Sequence, residues 1–207
     1  MTGRRTFSCF SPALLFVFVA SLLCLAPRVS AQRGAITIQQ NLATLVDEAA
    51  VIIRGRIIAS RVEPHPEFQN LQTIVITVAV DHALKGSPGQ VYTFRQFLWD
   101  VRDKYDVASH KKAQNVLLLL NKPSQYGLSM PVGLGQGRFL IYRQADGDLA
   151  AVNAFANVGL FQNFEQEMRR RGKALPPHLV SQARQFRSGP LKLADLEDFI
   201  RAAQAGN

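Results

Sequence analysis

The stretch Trp99-Asp100-Val101-Arg102-Asp103-Lys104-Tyr105-Asp106 sets three carboxylates three residues apart. On a helix that spacing brings them to one face, where two positioned carboxylates can divide the acid and base work of a hydrolysis. His110 follows in the same segment, so a hydrolase using Asp100 or Asp103 with His110 is the alternative reading of this chain. The acids are interleaved with Arg102 and Lys104, however, and local ion pairs on a solvated lid account for that pattern. Arg95, Trp99, Arg102 and Tyr105 combine guanidinium and aromatic groups, the types enriched where proteins bind partners. The leading expectation is therefore a ligand-facing surface made by Arg95, Trp99, Asp100, Arg102 and Asp103, with no catalytic residue.

Other chemistries find less support. His65, His82, His110 and His178 are scattered, and no two stand at the i, i+4 spacing with which a helix presents two imidazoles to zinc. Glu63-Pro64-His65-Pro66-Glu67 offers three potential ligands, but its two prolines favour a turn or rigid loop. No serine sits in a Gly-x-Ser-x-Gly elbow. Gly133-Leu134-Gly135-Gln136-Gly137 resembles a phosphate-cradling loop, yet Phe139-Leu140-Ile141-Tyr142 after it reads as a strand, not the helix whose N-terminus such a loop needs. Those glycines are expected at a bulge or a tight barrel corner. No metal and no cofactor are expected.

The elements that must carry these residues read as follows. Leu42, Leu45, Val46 and Ala49 recur at helical spacing behind Asn41, a good N-cap. Residues 51–59 alternate as a half-buried strand, and residues 73–80, with Ile74, Ile76, Val78 and Val80 set against Thr73 and Thr77, form the clearest strand of the chain. After turn residues at 85–89, extended structure resumes at 91–95. Residues 98–114 form a charged excursion, and Val116-Leu117-Leu118-Leu119-Leu120 reads as a strand covered on both faces. Residues 128–132 and 138–142 are further strand candidates, and Ala145-Asp146-Gly147-Asp148 is a hairpin turn leading into 149–152. Helical spacing returns at 164–171 and 178–186, linkers are expected at 172–177 and 187–190, and Leu193, Leu196, Phe199 and Ile200 mark a terminal amphipathic helix. The fold class predicted is mainly β (α+β): a small OB-like β-barrel over residues 32–161, with one N-terminal helix and a C-terminal helical extension over 162–207.

The first 31 residues have the three parts of a secretory signal peptide: Arg4 and Arg5, an apolar run over 13–25, and the small-residue site Val29-Ser30-Ala31. The apolar run is short of the roughly 20 residues of a membrane span, and Leu23 before Cys24 argues against lipidation. Cleavage after Ala31 gives a secreted or periplasmic product that begins at Gln32, with no transmembrane span. Both cysteines, Cys9 and Cys24, leave with the signal, and its three basic residues lower the formal net charge from +9 to +6. Thiol chemistry and disulfide stapling are thereby excluded from the expected product. The remaining charge is mildly basic and mixed in sign.

The motif order Thr44-Leu45-Val46-Asp47-Glu48-Ala49-Ala50, Arg54-Gly55-Arg56, Ala83-Leu84-Lys85-Gly86, Pro131-Val132-Gly133-Leu134-Gly135-Gln136-Gly137-Arg138-Phe139 and Asn157-Val158-Gly159-Leu160-Phe161 resembles a family of uncharacterised exported bacterial proteins over residues 40–161. The first half resembles, more distantly, the OB-type barrel of netrin modules and tissue inhibitors of metalloproteases, which implies a fold alone. The zinc-chelating N-terminal cysteine of those inhibitors has no counterpart at Gln32. Together these readings point to a non-enzymatic binding or accessory protein whose partner is an envelope or extracellular protein or an anionic polymer. Export argues against nucleic acid.

Overall fold

A computed structural model describes residues 38–98 and 113–205, which belong to one compact unit. The expected signal peptide and most of the charged excursion lie outside the described residues. Among the described residues no helix is long and apolar enough to cross a membrane.

Helix α1 (Leu42–Glu48) starts where expected: Asn41 adopts extended geometry and its side chain accepts a bond from the Thr44 amide at 3.1 Å. At the other end Lys85 Nζ donates to the carbonyls of Val46 and Asp47, satisfying groups that the last helical turn leaves open. Strands β1 (Val51–Pro64) and β2 (Gln72–Lys85) pair antiparallel along their length, with three register shifts that bend the ribbon. β1 runs to Pro64, past the loop expected from Glu63. Its second half has no β4 partner, so the missing proline N–H costs no ladder bond there.

β3 (Val91–Phe97), β4 (Asn115–Leu120), β5 (Arg138–Arg143), β6 (Leu149–Asn153) and β7 (Leu191–Lys192) complete a seven-stranded antiparallel sheet in the order β3-β2-β1-β4-β5-β6-β7. The molecule is thus mainly β in an α+β arrangement, but its sheet is open and not closed into a barrel. The expected strand at 128–132 makes only isolated bridges, Arg95 to Leu128 and Leu120 to Pro131. With a proline at 131 and a turn at 124–127, this segment touches both neighbours without building a ladder along either. β7 lies just past an expected linker; two residues are too few to show a period.

β4 is buried on both faces, as its apolar run predicts. Leu117 and Leu119 point to one core, which they share with α1, Phe139, Ile141 and the C-terminal helices. Val116, Leu118 and Leu120 point to a second core with Ile53, Ile57, Ile74, Ile76, Val78 and Phe94. The helices are α2 (Phe164–Arg170), α3 (Pro177–Gln185) and α4 (Leu193–Gln204). α4 buries the expected stripe and is tied to the sheet by Glu197, which lies 2.6 Å from Arg54 and 3.0 Å from Arg201.

The glycine-rich segment is a 3-10 helix (Leu134–Gly137), where a bulge or barrel corner was expected. Gln136 explains it. Its side chain is buried, donates to the Ile38 carbonyl and accepts from the Gln40 amide, while its backbone carbonyl receives Asn153 Nδ2. The turn thus clamps the polar lead before α1 against β6. Short-range reading cannot supply partners 96 and 98 residues away.

Candidate functional site

Glu63, Thr73 and Phe97 share one row of the sheet, at the end where β1 turns into β2 and β3 leaves for the excursion. Arg95, on β3, reaches across β2 at this end. Its Nη2 donates to Glu63 Oε1 at 2.6 Å, and its Nη1 donates to Thr73 Oγ1 at 2.6 Å and to the Pro64 carbonyl at 3.4 Å. Arg61 Nε approaches the other Glu63 oxygen at 2.6 Å. Arg95 is therefore a fixed strut, and its Nη fork is already occupied.

Two guanidinium groups on one carboxylate hold Glu63 below its ordinary value of 4.5, through the hydrogen bond from Arg61 first and that from Arg95 second. A carboxylate with a lowered folded-state pKa adds stability above its unfolded value and loses it as the pH falls through the folded one. The unfolding free energy of wild type is accordingly expected to exceed that of Glu63→Gln at neutral pH, with the gap closing below pH 4.5. Urea titrations across that range measure it; a gap independent of pH would show that the carboxylate charge is not the stabilising element.

Beside this ion group lies an aromatic cap that sequence reasoning missed. His65 is only 4% exposed. Its Nδ1 accepts from the Glu67 amide at 3.2 Å, so Nε2 carries the proton and donates to the Tyr126 carbonyl at 2.8 Å. Both nitrogens are engaged, and the chain leaving β1 is held over residues 65–67. Phe68 lies 5.1 Å from the His65 ring, and Tyr126 meets Phe68 edge-on at 5.4 Å. Phe68 and Tyr126 remain 43% and 47% exposed. The available signal was an aromatic residue inside each of two turn-rich segments, where no periodic face offers it a core.

Of the residues expected to face a ligand, Arg95 alone is described. Trp99, Asp100, Arg102 and Asp103 lie outside the described residues, as does His110 of the hydrolase alternative. The ends of the excursion are placed. Leu98 donates to the Gln72 carbonyl at this same sheet end, and the chain returns at Ala113, which donates to the Ile57 carbonyl. Gln96 stands opposite Ile74, is 6% exposed and leaves its Oε1 without a partner; Ser60 Oγ, opposite Ile76, is also unpaired. Among the described residues no group of His, Cys, Asp and Glu is placed to hold a metal ion.

Comparison with protein-family models, with curated proteins and with solved structures gave no match.

Proposed function

We propose that this is a secreted or periplasmic, non-enzymatic binding or accessory protein, exported by a signal cleaved after Ala31, whose contact surface is the sheet end bearing Phe68, Tyr126 and Arg95. By residue type, Trp99, Asp100, Arg102 and Asp103, which come next in the sequence, are counted with that surface. The observation that carries this reading is the pair of exposed rings held on a buried histidine: large aromatic area is presented in a rigid setting, at little entropic cost on binding. In the same proposal, β1 to β4 with the crossing at 128–132 is an opened relative of the OB-type barrel of netrin modules and metalloprotease inhibitors. Its support is the circuit of bridges that links Leu120 to Pro131 and Leu128 to Arg95.

The test is capture from a native envelope extract by wild type and by a Phe68→Ser/Tyr126→Ser variant, with dextran sulfate retention run in parallel. Loss of a captured protein in the variant is the expected result. Salt-sensitive retention on dextran sulfate, equal for both forms, would replace a protein partner by an anionic polymer. Identical behaviour of both forms in both assays overturns the proposed surface. N-terminal sequencing of the exported product, expected to begin at Gln32, checks the cleavage.

A further inference from the structure

On the helical side of the sheet, a cleft of about 380 Å³ opens between the lead into α1, the turn after β6 and the end of α3. That volume lies at the small end of the range for small-molecule sites, about 300–1,000 Å³. Phe161 and Phe186 form its apolar wall, their rings edge-to-face at 5.4 Å. Phe161 is held in turn by Phe199 at 4.3 Å and Phe164 at 5.6 Å, so the wall is anchored in the core. Val158, half exposed, adds apolar surface on the rim.

The polar groups around this wall are only partly satisfied by the protein. Gln39 donates through Nε2 to the Val158 carbonyl at 2.7 Å, leaving its carbonyl oxygen open, and the Gln162 side chain makes no bond to the described residues. Arg187 turns Nη1 onto the carbonyls of Arg184 and Phe186, so its Nε and Nη2 edge is unused. Among the described residues no carboxylate lines the cleft, and Arg187 forms no ion pair with any of them. Its neighbour Arg184 shows what that edge accepts: Nε and Nη2 of Arg184 grip the two oxygens of Glu165 at 2.9 and 2.8 Å. An apolar wall beside one spare guanidinium edge matches a flat apolar body carrying a single carboxylate.

We propose that this cleft is a binding site for a small aryl-alkyl carboxylate, with the carboxylate on the Nε and Nη2 edge of Arg187 and the ring against Phe161 and Phe186. The site uses none of the residues of the aromatic cap or of the Arg61, Glu63 and Arg95 group, so it stands whether or not that surface binds a partner.

The test is amide NMR of the exported protein titrated with 3-phenylpropionate, with 3-phenylpropionamide and acetate as controls. Saturable shifts are expected at Gly159, Gln162 and Phe186. Arg187→Gln, a change at an exposed side chain, is expected to weaken 3-phenylpropionate on the order of tenfold and to leave the amide's binding unchanged. Equal affinity of wild type for acid and amide, equal affinity of wild type and Arg187→Gln for the acid, or the same shifts with acetate alone each overturn the proposal. So do shifts that fail to saturate, or that fall at Phe68 and Tyr126 instead.

Discussion

Asn157→Ala is expected to lower the unfolding free energy by about 4 kcal/mol, a large share of the ~5–15 kcal/mol that holds a domain folded. Asn157 is fully buried and sits at φ 57°, in the left-handed region. Its Nδ2 donates to the carbonyls of Ala151 at 3.0 Å and Gly189 at 2.9 Å, and its Oδ1 accepts from the Asn153 amide at 2.9 Å. Alanine removes all three bonds, two of them buried and the one to Gly189 partly so, at about 1–3 kcal/mol for each group left unpaired before relaxation. It also adds the left-handed cost of a β-carbon without a local polar partner, about 1 kcal/mol. Urea unfolding measures the total as a shifted midpoint at constant slope. Asn157→Gly separates the two causes, because it removes the same bonds without the backbone penalty, and is expected to recover about 1 kcal/mol. A loss under about 1 kcal/mol for alanine would mean that water or a rearranged turn satisfies those groups.

That side chain joins β6 to the segment entering β7, across 32 residues of chain, and it shows where sequence reading ends. Features governed by near neighbours were legible: the Asn41 cap, the existence of β2, the Asp-Gly turn between β5 and β6 and the stripe of α4. The expected alternation of β2 was not, since Thr73 and Val75 are buried as well as Ile74 and Ile76. The double burial of β4 was legible too, since an unbroken apolar run permits no solvent face. Whether the sheet closes was not, because closure rests on which strand the segment at 128–132 pairs with, and an apolar pattern sets a face without naming a partner. The site divides in the same way. Arg95 was recognisable as a cation beside aromatic residues, but its commitment to Glu63, 32 residues back, depends on the register of β1, β2 and β3 together. The meeting of Phe68 with Tyr126 depends further on how two turns fold over His65.

Register has its sharpest consequence at Gly55, where β1 crosses between β2 and β4. Gly55 pairs with Val80 on one side and Val116 on the other, and the β1–β2 ladder shifts register between Arg54 and Gly55. A β-carbon at this position would lie 2.1 Å from the Ala79 carbonyl oxygen and 2.9 Å from a methyl of Val78. The oxygen belongs to backbone, so no rotamer change relieves the overlap; β1 and β2 must separate at the shift and lose ladder bonds next to Arg54, which holds Glu197. Gly55→Ala is therefore expected to cost at least about 3 kcal/mol, in the upper range for overpacking a core. Gly147→Ala provides the contrast: its β-carbon meets nothing within 4 Å, although φ is 92°. Its cost is confined to backbone strain, about 1–2 kcal/mol. Chemical unfolding of both variants decides between steric approach and backbone preference as the reason for glycine at 55. Equal losses would remove the steric account. A much larger loss at 55, with the far-UV circular dichroism of the folded state retained in Gly147→Ala, would place the tightest packing of this sheet at the bend of β1, between β2 and the strand buried on both faces.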